Sequence, residues 1–367
     1  MTGNCHARFL GGNGTERSLT YPIIPRNELF MTNAFTKRNH YNPCFWSALW
    51  NRTYYKAFLE GESNKEEARE QTVIVLNFRS GRIYEDKVNS VHYDKGLGIA
   101  EITAESMKQF CRKWFPSQIE DLTSYVNEHP ESLYLDFEEI LTGMETNGVY
   151  DSLMDTARIG NLSSVEHKGF LTVNLIIHAM RSHEMMTSMV EFANLIGMDK
   201  WEYFWLLKNV LGNPLMLARA VTPLACSKWM LYRTEDHRFP LCDSPVMINR
   251  DTVMIILSPR LLLEIHLNTR APEGDWTIRD GISSSKFREF RRRSIENGFK
   301  QLIFSDPREL EDWSNTPAFK ARNAALNNTI KRQKVIHDAA NRVIWAMTGF
   351  GRVPQDFERS VRHIFNA

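Results

Sequence analysis

The chain has 367 residues, of which 43% are hydrophobic and 24% are charged. This composition is typical of globular proteins and excludes a disordered tail, a collagen and a coiled-coil rod. Forty-five Lys and Arg against 44 Asp and Glu give a formal net charge of +1, so no global field attracts the chain to nucleic acid or to an anionic membrane. Any nucleic-acid contact must therefore be local.

The cysteine pattern predicts a reducing compartment. Cys5, Cys44, Cys111, Cys226 and Cys242 are odd in number, scattered and never spaced as Cys-x-x-Cys, which argues against a disulfide framework and a zinc knuckle. The opening residues lack the apolar run of a secretory peptide, and no stretch reaches the ~18 consecutive apolar residues of a membrane span. We therefore expect a cytoplasmic protein without a membrane partner.

The first segments of the chain differ sharply in pattern. Residues 1–36 are rich in Gly, Asn, Thr and Pro and have no sustained period, which predicts an irregular N-terminal arm. His40 precedes Asn42 and Pro43, which are typical of a helix N-cap and first turn, and an aromatic run follows them. His40 is a candidate general base, although a structural hydrogen bond is the commoner role for a histidine in this position.

Strand and helix patterns follow in succession. Residues 72–79 and 82–85 are extended patterns on either side of Ser80-Gly81, which predicts a hairpin. Residues 104–224 show helical periods broken mainly by glycine and proline, which predicts a helical subdomain.

One helix in that block, at residues 166–182, has an unusual polar face. Apolar side chains cover most of its circumference, and at about 100° per residue the remaining face carries His167, Asn174, His178 and Arg181. A solvated strip is the simpler explanation. The strip also suits a polar cleft, in which Arg181 would bind an anion while Asn174 and His178 would bind substrate beside it.

Residues 229–267 form a second strand region, with apolar runs at 229–232, 246–248, 253–257 and 261–267. Helical patterns resume after Ile282, and the last helix covers about 319–347, before a C-terminal tail at 350–367. We predict an α+β protein, predominantly helical, with one small, mostly antiparallel sheet built from two separated strand regions. The predicted domain is single and spans 37–349.

Three polar features fall in this part of the chain. Asp243 lies in an acidic turn between two strands, where a capped turn is the default and a general base or a ligand for Mg²⁺ or Mn²⁺ is the alternative. Arg260 adds a guanidinium to a Ser-Pro turn and is a candidate for substrate binding. Arg291 and Arg292 belong to a basic helical segment, for which a solvated face is the commoner outcome and a phosphate patch the alternative.

The ordered motifs resemble a known family. They are His40-Tyr41-Asn42-Pro43, Met180-Arg181-Ser182, Cys242-Asp243-Ser244-Pro245, Leu257-Ser258-Pro259 and an Asn-rich entry to the last helix. Their order over about residues 37 to 346 is similar to that of the mainly bacterial domain-of-unknown-function family 4238, whose pattern has His-Tyr-x-Pro, Arg-Thr/Ser-Pro, Ser/Thr-Asp-x-Pro and Leu-Ser-Pro.

The chain departs from that pattern at three places. Asn42 stands where an apolar residue is usual, Ser182-His183 replaces the proline step, and Cys242 replaces a hydroxyl residue. The family brings no established activity. The resemblance implies that His40, Arg181 and Asp243, which are far apart in the sequence, meet in one cleft.

These residues lead to a hypothesis of function. We expect a bacterial hydrolase acting on a phosphate-bearing substrate such as nucleic acid or nucleotide, as a nuclease or phosphoester hydrolase does. His40 would be the general base, Arg181 would bind phosphate, and Asp243 would orient His40 or hold the divalent cation. The alternatives are a non-catalytic binding protein whose polar motifs are structural, and a purely stabilising ion pair between Arg181 and Asp243.

Overall fold

The computed structural model describes residues 39–319 except for positions 79, 97, 115, 129–132, 138–149, 183–185, 188–189, 192–197, 206–220, 250, 272–275, 299, 315 and 318. The predicted N-terminal arm, the C-terminal tail and all but the first residue of the predicted last helix lie outside these residues. The domain boundaries drawn there stay predictions.

The helices with defined bounds are α1 (Cys44–Ser47), α2 (Arg52–Glu60), α3 (Ala104–Trp114), α4 (Ile119–Glu128), α5 (Asp151–Ile159), α6 (Val165–Arg181), α7 (Ser284–Asn297) and α8 (Pro307–Ser314). Side-chain caps begin several of them: Asn51 accepts from the Tyr54 amide at 2.9 Å, and Ser164 from the His167 amide at 3.0 Å. Helix α6 matches the helix predicted at 166–182. No described helix combines the length and the apolar character needed to cross a bilayer.

The strands are β1 (Asn39–His40), β2 (Thr72–Asn77), β3 (Ile83–Lys87), β4 (Tyr93–Asp94), β5 (Ile99–Ile102), β6 (Leu133–Asp136), β7 (Ser227–Arg233), β8 (Leu241–Cys242), β9 (Val246–Ile248), β10 (Thr252–Ser258), β11 (Leu261–Arg270), β12 (Trp276–Asp280) and β13 (Gln301–Phe304). The predicted hairpin is confirmed as the antiparallel pair β2 and β3. The four predicted strand runs between 229 and 267 correspond to β7, β9, β10 and β11.

The prediction of one small sheet is wrong. Strands β12, β7, β11, β10 and β9 form a five-stranded sheet in that order, and β3, β2, β13 and β8 form a separate four-stranded sheet. Two further two-stranded pairs join β1 to β4 and β5 to β6, so a strand also interrupts the block predicted as helical. Helices beside mainly antiparallel sheets are compatible with the α+β class.

The error has a physical cause in the short strand β13. This strand has four residues, and it pairs with β2 on one side and β8 on the other. Its pairing with β2 joins residues more than 200 positions apart in the chain. A local sequence pattern contains no signal for such a partner. The hairpin therefore joins β8 and β13 in a sheet of its own and leaves the five-stranded sheet as a second unit.

Two buried tryptophans attach the segment after His40 to the strands. Trp46 donates its indole N–H to the Leu257 carbonyl at 3.0 Å, and Trp50 donates to the Phe239 carbonyl at 2.7 Å. Both indole rings are buried, so each N–H needs such an acceptor. The expected N-cap at Asn42 is wrong, because α1 begins at Cys44 after Pro43 without a side-chain cap. Asn42 is used elsewhere, as described below.

Candidate functional site

His40 lies in β1, where it is paired with Tyr93 of β4. Its half-buried ring is 5.8 Å from the Tyr93 ring, centroid to centroid. Burial, reinforced by the positive charge of Arg181 and more weakly by Arg69 and His92, lowers the pKa of His40 from 6.5 to about 4, and the Val91 backbone acts in the opposite direction. The imidazole is therefore neutral at pH 7.

Cys44 is a neighbour of His40 that no sequence motif marked. Its Sγ lies 4.0 Å from Nδ1 and 3.9 Å from Nε2 of His40. Because the sulfur is almost equidistant from both nitrogens, it is in line with neither lone pair, and the two side chains do not form an aligned thiol–imidazole dyad. His40 is thus available to a group other than this thiol.

The polar face of α6 points into the protein rather than into solvent. Asn174 and His178 are completely buried, and Arg181 is only 6% exposed. The Asn174 amide donates to Ser152 Oγ at 2.9 Å and to the Phe170 carbonyl at 3.4 Å. The first bond connects α6 to α5 and the second lies within α6, so the described contacts of Asn174 are structural, and a contact with substrate stays a prediction.

His178 is packed between two aromatic rings. Its ring centroid lies 4.5 Å from that of Trp46 and 5.2 Å from that of Tyr150. Neither ring nitrogen has a well-aligned hydrogen-bond partner among the described residues, although the Tyr41 backbone is near enough to act on the ring. Burial, reinforced by the charge of Arg181, holds the pKa of His178 well below 6.5, although the Tyr41 backbone opposes this. His178 is therefore a neutral, buried imidazole with donor and acceptor capacity still to be used.

Arg181 joins His40 and His178 into one group. Its Nη1 donates to the Tyr150 hydroxyl at 3.4 Å, and its charge depresses the pKa of both imidazoles. Arg181 therefore acts electrostatically on His40, one of the two residues that the resemblance placed in one cleft with it. Tyr150 joins them, and no sequence motif marked it.

Asp243 is placed differently from His40 and Arg181. It is completely buried at the end of β8, and its Oδ2 accepts from the backbone amides of Lys300 and Gln301, the latter at 3.1 Å. The imidazole whose pKa responds to this carboxylate is that of His92. The expected orientation of His40 by Asp243 is not among these contacts. No group of three or more His, Cys, Asp or Glu side chains in the described part of the chain is arranged for a metal ion, and a Mg²⁺ or Mn²⁺ site at Asp243 stays a prediction.

His92 and Asn42 connect Asp243 to the His40 segment. The Asn42 Nδ2 is 2.8 Å from His92 Nδ1 and donates to the Cys242 carbonyl at 3.0 Å. His92 is buried, has a positive φ of 50°, and donates its backbone N–H to Gln301 Oε1 at 3.0 Å. Burial lowers the pKa of His92 to about 4, although Asp243 opposes this. No sequence pattern predicted this network, because His92 belongs to no motif and Asn42 was expected to be a helix N-cap.

The three remaining predicted arginines are not among the charged groups that act on the pKa of His40. Arg260 lies beside Tyr55 and His237, a group described below. On α7, Arg292 bonds to Glu296 at 2.6 and 2.8 Å, and its neighbour Arg293 pairs with Glu289. Carboxylates therefore neutralise much of the basic segment that contains Arg291, which weakens the reading of it as a phosphate patch.

Comparison with known proteins adds no relative: no family model matches the chain, and no curated protein or solved structure is significantly similar to it. The resemblance to the domain-of-unknown-function family stays a prediction.

Proposed function

We propose that this protein is a hydrolase of a phosphate-bearing substrate, such as a nucleic acid or a nucleotide, with its reaction centre at His40 and Arg181. The observation that carries the proposal is a buried guanidinium whose charge acts on two imidazoles, which burial, reinforced by that charge, keeps neutral. A positive, partly desolvated group of this kind favours an anion. The scattered cysteines support a reducing cytoplasm as its location.

Each residue has a role that follows from its state. Arg181 and the unpartnered nitrogens of His178 would bind the phosphate oxygens. His40 would accept the proton of a water whose oxygen attacks phosphorus, while the ester bond to the leaving oxygen breaks and that oxygen takes a proton from solvent. A pKa of about 4 makes the unliganded His40 a weak base. A bound anion offsets the charge of Arg181 and raises that pKa towards the working range.

Asp243 would have an indirect, positioning role in this mechanism. Its carboxylate holds the Lys300 and Gln301 amides and lies near His92, whose backbone carbonyl in turn accepts from the Tyr41 amide at 2.7 Å. Asp243 would therefore position the segment that carries His40 rather than contact substrate.

The second candidate is a non-catalytic binding protein that uses the same anion site. The observation that favours it is the engagement of Asp243 with backbone amides, because a second acid or base beside His40 is then missing from the described contacts. Such a protein would bind phosphate-bearing ligands and leave them intact.

The test is incubation of the purified protein with short RNA, short DNA and nucleotides, each with Mg²⁺, Mn²⁺ or a chelator. The wild type is expected to cleave at least one substrate class. His40→Gln should reduce the rate by at least about 100-fold, because it removes the base and keeps a polar side chain of similar size. Arg181→Gln should weaken substrate binding as well as turnover.

Arg158→Gln is the matched control, because it removes an exposed guanidinium that pairs with Asp155 on α5 at 2.6 Å. This variant should cleave like the wild type. Cleavage by folded His40→Gln at the wild-type rate would contradict the catalytic role. Binding that depends on Arg181 without any cleavage would select the non-catalytic candidate instead.

A further inference from the structure

A second group of polar side chains surrounds Tyr55 of α2. The Tyr55 ring centroid lies 5.8 Å from the guanidinium carbon of Arg260 and 5.1 Å from the ring centroid of His237. Its hydroxyl lies 3.3 Å from Ser258 Oγ. Three chain segments meet here: α2, the loop after β7, and the turn between β10 and β11. None of these residues belongs to the site around His40.

Arg260 has donors that the described structure does not use. It forms no ion pair with a described carboxylate, and its Nε is buried without a hydrogen-bond partner in the described part of the chain. The Tyr55 ring interacts with the positive charge but accepts none of the N–H groups in the plane of the guanidinium. A buried donor without an acceptor is costly, so this arginine suits an incoming oxyanion.

His237 adds a second unused nitrogen. Its Nδ1 is buried and has no partner among the described side chains and backbone groups. Burial lowers the pKa of His237 to about 4, reinforced by Arg260 and Arg52 and opposed by Asp306 and Asp236. The neutral ring can therefore donate a hydrogen bond to a ligand oxygen without a second positive charge.

The charges around this group limit the ligand that it can hold. Three guanidiniums and two carboxylates act on His237 or on Glu309, which is itself the third carboxyl group here: Arg52, Arg238, Arg260, Asp236 and Asp306. Two ion pairs neutralise four of them, Arg52 with Asp306 at 2.5 Å and Arg238 with Asp236 at 3.4 Å.

The half-buried Glu309 is the remaining carboxyl. Burial raises its pKa to about 7, reinforced by Asp306 and Asp236. Glu309 is therefore protonated in part at neutral pH, which reduces its repulsion of an anion. Of the three guanidiniums, Arg260 is then the one without an ion pair among the described residues. A single unpaired positive charge suits a ligand group of a single negative charge.

We propose that Arg260 and His237 form a second oxyanion site, which takes a singly charged group with two terminal oxygens, as in a phosphodiester or a carboxylate. The fork of Arg260 would bind both oxygens, and His237 would donate to one of them. This site is independent of the hydrolysis proposed at His40.

The test follows the side-chain NMR signals of His237, assigned with His237→Gln, during titration with dimethyl phosphate and, separately, with sodium acetate. Sodium chloride at the same ionic strength gives the baseline. The wild-type signals are expected to shift saturably with at least one probe, and the tighter probe identifies the ligand class. Arg260→Gln should weaken this binding by about tenfold to 100-fold, because it removes charged hydrogen bonds.

Two further variants make the result specific. Arg181→Gln and the surface control Arg158→Gln should both keep the wild-type shift of the His237 signals. A loss of function at the His40 and Arg181 site can thus be distinguished from a loss of binding at Arg260 and His237. If Arg260→Gln does not fold, Arg260→Lys keeps the charge on Tyr55, loses the fork and should still bind more weakly than the wild type. An unsaturable response to both probes, or equal affinity in the folded Arg260 variant, would overturn the site.

Discussion

At the scale of single residues, Asn42 selects the tautomer of His92. The Asn42 Nδ2 donates to the Cys242 carbonyl, which identifies that atom as the amide nitrogen. His92 Nδ1 must then be the acceptor of the second bond from Nδ2, so the ring proton of the neutral imidazole is on Nε2. A protonated His92 would carry hydrogens on both nitrogens and would lose this bond. The contact therefore reinforces the effect of burial on the pKa of His92.

This arrangement predicts the effect of Asn42→Ala. The substitution leaves the buried Cys242 carbonyl and His92 Nδ1 without their donor, which should lower the free energy of unfolding by about 2 to 4 kcal/mol. Chemical denaturation measures this change. Asn89→Ala is the control, because its amide bonds to Glu70 on the surface at 3.4 Å, and it should change stability by less than about 0.5 kcal/mol. Equal effects of the two substitutions would show that the buried network contributes nothing.

At the scale of elements, α6 combines two kinds of buried polar side chain. Asn174 uses its amide to connect α6 with α5. His178, four residues later and equally buried, has no described partner for either ring nitrogen. A buried polar group without partners lowers stability, and natural proteins retain such groups mainly where function requires them. The two residues should therefore respond in opposite ways to the same substitution.

His178→Leu removes the unpartnered imidazole and keeps an apolar contact with Trp46. We expect the free energy of unfolding to stay the same or to rise by up to about 2 kcal/mol, while phosphate binding and hydrolysis fall. Asn174→Leu breaks the hydrogen bonds that the amide nitrogen donates to Ser152 and Phe170 and should destabilise the protein by about 1 to 3 kcal/mol. Denaturation curves beside the cleavage assay measure both effects. A large loss of stability in His178→Leu with unchanged binding would assign His178 a purely structural role.

At the scale of the whole molecule, the local sequence pattern predicted individual helices and strands but did not predict how the strands assemble into sheets. Helix α6 and strands β10 and β11 were predictable because their apolar periods extend over seven residues or more. Strands β8 and β13 have two and four residues and obtain their identity from partners far along the chain. The division into two larger sheets therefore had no local signature.

The candidate site shows the same division. His40 and Arg181 were predictable as residue types suited to acid–base and anion chemistry, and in the folded chain the charge of Arg181 acts on the His40 ring. Tyr150, His92 and Cys44 could not be chosen from the sequence, because their relevance depends on distances that only the folded chain defines. Asp243 was chosen for its position at a strand end, but its described bonds are to backbone amides in the adjoining strand.

The protonation of His40 depends on the whole fold, because the charge of Arg181 acts on this ring only in the folded chain. A depressed folded-state pKa keeps the ring neutral down to about pH 4. An anion bound beside Arg181 favours the imidazolium and so raises this pKa. By linkage, phosphate binding then takes up a proton between the unliganded and liganded pKa values, and it tightens as pH falls through that window.

The most direct measurement is the NMR pH titration of the His40 ring, without phosphate and with saturating inorganic phosphate. We predict a pKa of about 4 without ligand and a clear upward shift with phosphate, a shift that Arg181→Gln abolishes. A ring that titrates near its ordinary value of 6.5 and ignores phosphate would contradict the anion site at His40 and Arg181.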